Sequence, residues 1–235
     1  MKKYLVLLLL CIFAISGFAQ EGTRAKTDSP SLELAKSTVK LYGGDKFKNM
    51  KTLVVRGTTE ISGAFPQSLP GTFVTILAGE KYRIELISPI QSFKQIFDGE
   101  QTSSSFSGIT LPPINRLGLP LLQKIDSEGF KVSDLPELLS KKKGFRITSP
   151  EGYFTDFIID GKSGQIKSYE ASFDYNGRQV TTSVDIEKNR EVEGVLIPEV
   201  YSQRFDLAGL TIYSAFKAKE IAVNAEVAND VFVMN

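Results

Sequence analysis

The chain has 235 residues, with 28 lysines and arginines, 27 aspartates and glutamates, one cysteine and neither histidine nor tryptophan. A formal net charge of +1 provides no basic surface of the kind that nucleic-acid binding requires. Without histidine the chain cannot form a Ser-His-Asp triad, a Cys-His nucleophile or a His/Cys zinc site, so the composition favours binding over catalysis and predicts no cofactor or metal.

Residues 1–19 have the pattern of a secretory signal peptide. Met1-Lys2-Lys3 is basic, and the apolar run Tyr4–Ile15 ends before small residues that suit a cleavage site. This run is shorter than the roughly 18 residues that a membrane span needs. The residue before Cys11 is not small, so lipidation is not expected. We expect export to the periplasm, followed by a flexible lead-in over residues 20–28.

Residues 29–235 are predicted to form one domain that begins with a helix. Ser29-Pro30 is typical of a helix start, and Gly43-Gly44 is typical of a helix end. Apolar side chains recur between them at helical spacing: Leu32, Ala35, Val39 and Tyr42.

From Lys51 onward the hydrophobic period changes to two residues, which is typical of half-buried strands. Turn sequences such as Pro70-Gly71, Asp98-Gly99 and Asn176-Gly177 divide the chain into short strands that can pair only as antiparallel neighbours. About five strands are predicted before the chain's midpoint and about six after it. A sheet of about eleven strands tends to curl. The predicted fold class is therefore mainly β, an incomplete barrel with a few helices on its concave side.

An apolar insert over residues 109–125 interrupts the strands, and a helix is predicted after it over Asp134–Lys143. The insert contains eight Leu or Ile and three prolines, which is too proline-rich for a strand and too apolar for a solvated loop. It is predicted to cover the sheet, either as a movable lid with Gly108 and Gly118 as hinges or as a fixed plug.

Three stretches follow an order of elements that is found in a known family. Pro70–Ser107 runs from a glycine-led strand through an amphipathic strand and a proline to an Asp-Gly turn, and Arg190–Pro198 forms a late hairpin. The tail Val223–Phe232 ends in a phenylalanine. These stretches resemble the periplasmic lipoprotein carrier LolA and its relatives. The resemblance implies an incomplete β-barrel around a hydrophobic cavity that receives acyl chains, with the tail phenylalanine docked on the sheet.

Side-chain alternation selects the cavity candidates on two adjacent strands, because residues two apart share one face of a strand. The insert supplies the remaining candidates. The predicted cavity and lid residues are Phe73, Leu77, Tyr82, Ile84, Leu86, Ile109, Leu111, Leu117, Leu119 and Leu122. An ordinary packed core is the alternative for each of them. Candidates for a head-group contact at the opening are Tyr42, Arg83, Arg116 and Lys124.

The predicted function is that of a non-enzymatic, monomeric periplasmic carrier of lipid or lipoprotein acyl chains. It would pass its cargo to a hand-over protein of the inner or outer membrane, for example in outer-membrane lipoprotein sorting. An envelope-stress sensor of the same fold is the second hypothesis. An enzyme that uses carboxylates such as Glu85 or Asp174, and a structural protein with a filled interior, are further alternatives.

Overall fold

The computed structural model describes residues 29–63, 67–90, 92–105, 114–175, 178–207 and 210–234. The predicted leader and lead-in, residues 1–28, and the turn Asn176-Gly177 lie outside these ranges. The described α-helices are α1 Pro30–Leu41, α2 Asp45–Lys48 and α3 Leu119–Leu122, with 3-10 turns at Ile114–Arg116, Glu137–Leu139 and Asn229–Phe232. No helix within the described ranges has the length and apolar character needed to span a membrane.

The strands cover most of the described chain. Their bounds are β1 Thr52–Ser62, β2 Leu69–Ala78, β3 Lys81–Ile87, β4 Ser92–Phe97, β5 Thr102–Ser104, β6 Lys131–Ser133, β7 Gly144–Thr148, β8 Phe154–Ile159, β9 Ile166–Tyr175, β10 Arg178–Val192, β11 Val195–Leu207 and β12 Leu210–Val223. Eleven of these strands correspond to strands that the sequence predicts. The twelfth, β6, is a three-residue edge strand, which is too short to show a period in the sequence.

The twelve strands form one open antiparallel sheet. Hydrogen bonds join them in the order β5-β4-β3-β2-β1-β12-β11-β10-β9-β8-β7-β6. The central β1–β12 pair, in which Leu53 lies opposite Val223, joins the two ends of the domain. The edge strands β5 and β6 do not pair with each other, so the described sheet does not close into a barrel. The predicted fold class, mainly β with an incomplete barrel, is confirmed.

The sheet curls around a single main core. Phe73 of β2 and Phe145 of β7 lie far apart in the strand order, yet both belong to one buried cluster. The three helices pack into the same cluster from the concave side, through Val39 of α1, Phe47 of α2 and Leu121 of α3. The helices therefore occupy the position that the sequence predicts for them.

Helix α1 begins and ends where the sequence predicts. The Ser29 hydroxyl accepts a hydrogen bond from the Leu32 amide at 3.2 Å, which caps the helix. Gly43, just after the helix, has a φ of 124°, and a Cβ at this position would lie 2.6 Å from the carbonyl oxygen of Gly194. The close approach requires glycine and fixes the end of α1 against the β10–β11 turn.

A smaller core lies on the convex face, where the C-terminal tail covers the sheet. Phe232 is 4% exposed and packs in one cluster with Val54 of β1, Ile76 of β2 and Ile96 of β4. The Arg83 guanidinium donates a hydrogen bond to the Val231 carbonyl at 2.7 Å and holds the tail in place. The docked phenylalanine is the arrangement that the family resemblance implies.

The predicted helix over Asp134–Lys143 is wrong. These residues contain only the 3-10 turn at Glu137–Leu139, after an extended Pro136. Pro136 disfavours the helical conformation at Leu135, the residue before it, so a helix is not favoured to begin at Asp134. Leu135, Leu138 and Leu139 have helical spacing, but Leu138 is 97% exposed, so no neighbouring surface covers the apolar face that such a helix would need to bury.

Candidate functional site: an apolar cavity beneath the insert

A cavity of about 200 Å³ lies between the concave face of the sheet and residues 114–120 of the insert. Strands β1–β3 form one wall with Leu53, Val55, Phe73, Thr75, Leu77, Ile84 and Leu86. Strands β9–β12 form the other wall with Tyr169, Ala171, Thr182, Val184, Ile197, Pro198, Tyr201, Gln203, Phe205 and Phe216. The insert forms the remaining side of the cavity with Ile114, Leu117, Gly118, Leu119 and Pro120.

Six of the ten predicted cavity and lid residues line this cavity: Phe73, Leu77, Ile84, Leu86, Leu117 and Leu119. Tyr82 and Leu122 are fully buried but are not on its wall. The Tyr82 hydroxyl accepts a hydrogen bond from the Gln95 side chain at 2.8 Å. Ile109 and Leu111 lie outside the described residues. The ligand-binding role of all ten stays a prediction.

The cavity wall carries no charged side chain among the described residues. Its polar groups are hydroxyls and one amide, and the Gln203 amide donates to the Thr182 hydroxyl at 2.9 Å. Glu85, the carboxylate proposed for an enzyme, lies on the opposite face of β3. It is paired there with Arg83, and with Lys94 at 3.4 Å. The chemistry of the described wall is therefore suited to burying hydrocarbon.

Ion pairs hold the insert over the cavity. Glu80, in the β2–β3 turn, pairs with Arg116 at 2.8 Å and with Lys124 at 2.6 Å. The Asn115 amide donates to the Glu80 carbonyl at 2.7 Å. Arg116 also pairs at 3.4 Å with Glu151, which lies between β7 and β8. The insert thus connects the two arms of the curled sheet above the cavity.

At Gly118 the insert lies directly against the sheet. Its φ is 61°, and a Cβ here would lie 2.9 Å from the Tyr169 ring. Its amide donates to the Thr155 hydroxyl at 3.0 Å. The predicted hinge at Gly118 is therefore also a packing position that only glycine fits.

Solved structures share this architecture. A LolA superfamily protein from Nitrosomonas europaea has a TM-score of 0.56 at 7% identity, over 88% of this chain and 99% of that chain. The chain has a LolA-like fold.

Two further structures are similar over most of their length. A DUF1329 family protein from Desulfovibrio piger has a TM-score of 0.49 at 9% identity, over 88% of this chain and 98% of that chain. A domain assigned to outer membrane lipoprotein sorting, from Vibrio parahaemolyticus, has a TM-score of 0.47 at 8% identity, over 86% and 95% of the two chains. Neither a family model nor a curated protein sequence matches this chain.

Within this LolA-like fold, two of the predicted head-group contacts are wrong. Tyr42 is fully buried in the core, its hydroxyl accepts a hydrogen bond from the Ile166 amide at 3.3 Å, and burial raises its pKa to about 12. Arg83 lies on the convex face and holds the tail. Arg116 and Lys124 belong to the insert, where both are paired with Glu80.

The second wall, from β9 to β12, is the part of the site that sequence reasoning missed. Alternation does place Tyr201, Gln203 and Phe205 on one face of β11. Both faces of these long strands contain apolar residues, so alternation alone does not tell which face is concave. The register of the sheet supplies the answer, because Gln203 lies opposite Val184 and Val184 lies opposite Tyr169.

Proposed function

We propose that the protein is a non-enzymatic carrier that holds lipid or lipoprotein acyl chains in the cavity beneath the insert. One observation carries the proposal: a cavity of about 200 Å³ whose described wall contains no charged side chain. Each methylene transferred from water to such a site contributes about 0.8 kcal/mol. The affinity is then set by how many methylenes the cavity admits.

The cavity's size implies that a long chain enters only if the insert moves. About 200 Å³ exceeds the roughly 150 Å³ of an engineered apolar cavity that takes up benzene. It is smaller than the roughly 300–1,000 Å³ of pockets for drug-sized ligands. Leu117 and Leu119 line the cavity from the insert, so their withdrawal would extend the site. The pairs that Arg116 and Lys124 make with Glu80 hold the insert in place, but Glu80 is 51% exposed, so water can replace these contacts and the barrier to the movement is small.

The proposed setting is the periplasm. The pattern of residues 1–19 supports a cleaved, non-lipidated signal peptide, and residues 29–235 would act as one monomeric domain. A cargo that is buried to this extent needs a partner that displaces the insert, so we include a hand-over protein of the inner or outer membrane in the proposal.

A binding titration tests the proposal. The exported protein is titrated with the fluorescent hydrocarbon diphenylhexatriene, and the bound probe is then displaced with a short-chain diacylglycerolipid below its micellar concentration. We expect saturable binding at one site and full displacement by the lipid. A probe signal that does not saturate, or that the lipid does not reduce, would contradict a lipid site.

A further inference from the structure

We propose that the cavity selects acyl chains that bring an uncharged carbonyl oxygen with them, and that the hydroxyls of Tyr169 and Tyr201 bind this oxygen. The inference rests on the proposed function and names its ligand class: ester-linked acyl chains rather than free fatty acids.

The two tyrosines line the same wall of the cavity. Tyr169 lies on β9 and Tyr201 on β11, with β10 between them. The hydroxyl end of Tyr169 lies under the insert, since a Cβ at Gly118 would come within 3.2 Å of its oxygen. The Tyr201 ring is fixed by stacking on Phe216, with ring centroids 4.9 Å apart at an angle of 16°.

No hydrogen-bond partner is found for either hydroxyl within the described ranges of the chain, although both line the cavity. Two other tyrosines, both fully buried, have partners: Tyr42 accepts from the Ile166 amide, and Tyr82 accepts from the Gln95 side chain. The amide of Gln203, on the same wall, is also paired. Tyrosine hydroxyls in apolar surroundings normally find a partner, and phenylalanine would fill the same space without this requirement.

The protonation state of these groups determines what they can bind. Burial, with each group's tyrosine neighbour as the smaller cause, raises the pKa of Tyr169 and of Tyr201 well above the ordinary phenol value. Both hydroxyls therefore stay protonated at neutral pH and can donate a hydrogen bond. A ligand oxygen that accepts one would give a partner to a hydroxyl that lines the cavity and has none from the described chain.

The lack of charge on the described wall favours an ester over a free acid. No described side chain on the wall is cationic, so a carboxylate that entered would be buried without a counter-ion. A buried unpaired carboxylate is strongly disfavoured compared with a neutral carbonyl. An ester keeps the acceptor oxygen and brings no charge.

Single Tyr169→Phe and Tyr201→Phe variants test the inference, because each removes one oxygen and keeps the ring. Methyl decanoate, undecane and decanoate are each used to displace diphenylhexatriene from the wild type and from both variants. We expect the ester's affinity to fall about fivefold to tenfold in each variant, which is the range for loss of one hydrogen bond. The affinity of the alkane should stay constant or rise. Tyr213→Phe, on β12 at a position that is 50% exposed, is the matched control and should leave the affinities of all three ligands unchanged.

The possible outcomes separate this inference from the proposed function. If the wild type binds ester and alkane but both Phe variants retain the full ester affinity, the tyrosine inference is overturned and the carrier proposal stands. If decanoate binds as well as the ester, the selection against free acids is overturned. If the wild type binds no ligand at all, the proposed function itself fails.

Discussion

Replacing Thr75 with phenylalanine is expected to weaken acyl-chain binding roughly fiftyfold while the protein stays folded. Thr75 lies on β2 between Val55 and Ile84 of the neighbouring strands, and its side chain lines the cavity. The added ring would occupy the space of about three methylenes. At about 0.8 kcal/mol each, their exclusion costs about 2.4 kcal/mol of binding free energy. Displacement of diphenylhexatriene by the glycerolipid measures the loss.

The matched control for this variant is Thr72→Phe on the same strand. Thr72 is exposed and lies three residues away, so its side chain points to the convex face. This variant should bind as the wild type does. Since the ring in Thr75→Phe fills a cavity, its melting temperature should be unchanged or higher. Equal affinities in the two variants would show that the ligand does not occupy this cavity.

Replacing Arg146 with methionine is expected to lower the free energy of unfolding by about 3 kcal/mol, the largest stability effect that we predict. Arg146 of β7 forms two hydrogen bonds with Asp156 of β8, at 2.6 and 2.7 Å, and Asp156 is 2% exposed. The guanidinium also stacks 3.9 Å from the centre of the Phe154 ring. Methionine would leave a buried carboxylate without its partner. Urea unfolding, followed by far-ultraviolet circular dichroism, measures the change.

Two companion variants give this prediction its controls. Arg204→Met breaks an ion pair with Asp206 in which the side chains are 50% and 36% exposed. The free energy of unfolding should therefore fall by less than about 1 kcal/mol. The double variant Arg146→Met/Asp156→Leu removes both charges and should recover most of the lost stability. A loss in Arg146→Met no larger than that in Arg204→Met would contradict the role given to the buried pair.

Much of the fold can be predicted from local signals in the sequence. Ser29-Pro30 and Gly43-Gly44 mark the ends of α1, because capping and the left-handed backbone depend on the residues themselves. Period-two alternation locates most strands for the same reason. The helix predicted over Asp134–Lys143 is wrong although Leu135, Leu138 and Leu139 have helical spacing, because a helix this short depends on tertiary packing and Leu138 is left 97% exposed.

The site could be predicted only in part, because a cavity depends on contacts between distant strands. Alternation on β2 and β3 identifies Phe73, Leu77, Ile84 and Leu86 correctly as one face. It cannot show that Tyr201 reaches the same space from β11, since this depends on the curl of the whole sheet. The same limit explains Tyr82, which shares the face of Ile84 but is buried away from the cavity wall.

Organic extraction and mass spectrometry of the protein, purified without detergent from the periplasmic fraction, show whether the cavity holds a lipid in the cell. We expect a stoichiometric, ester-linked lipid or lipopeptide in the wild type and its loss in the Thr75→Phe variant. A wild-type protein that carries no lipid, and that also fails to bind diphenylhexatriene, would contradict the carrier function.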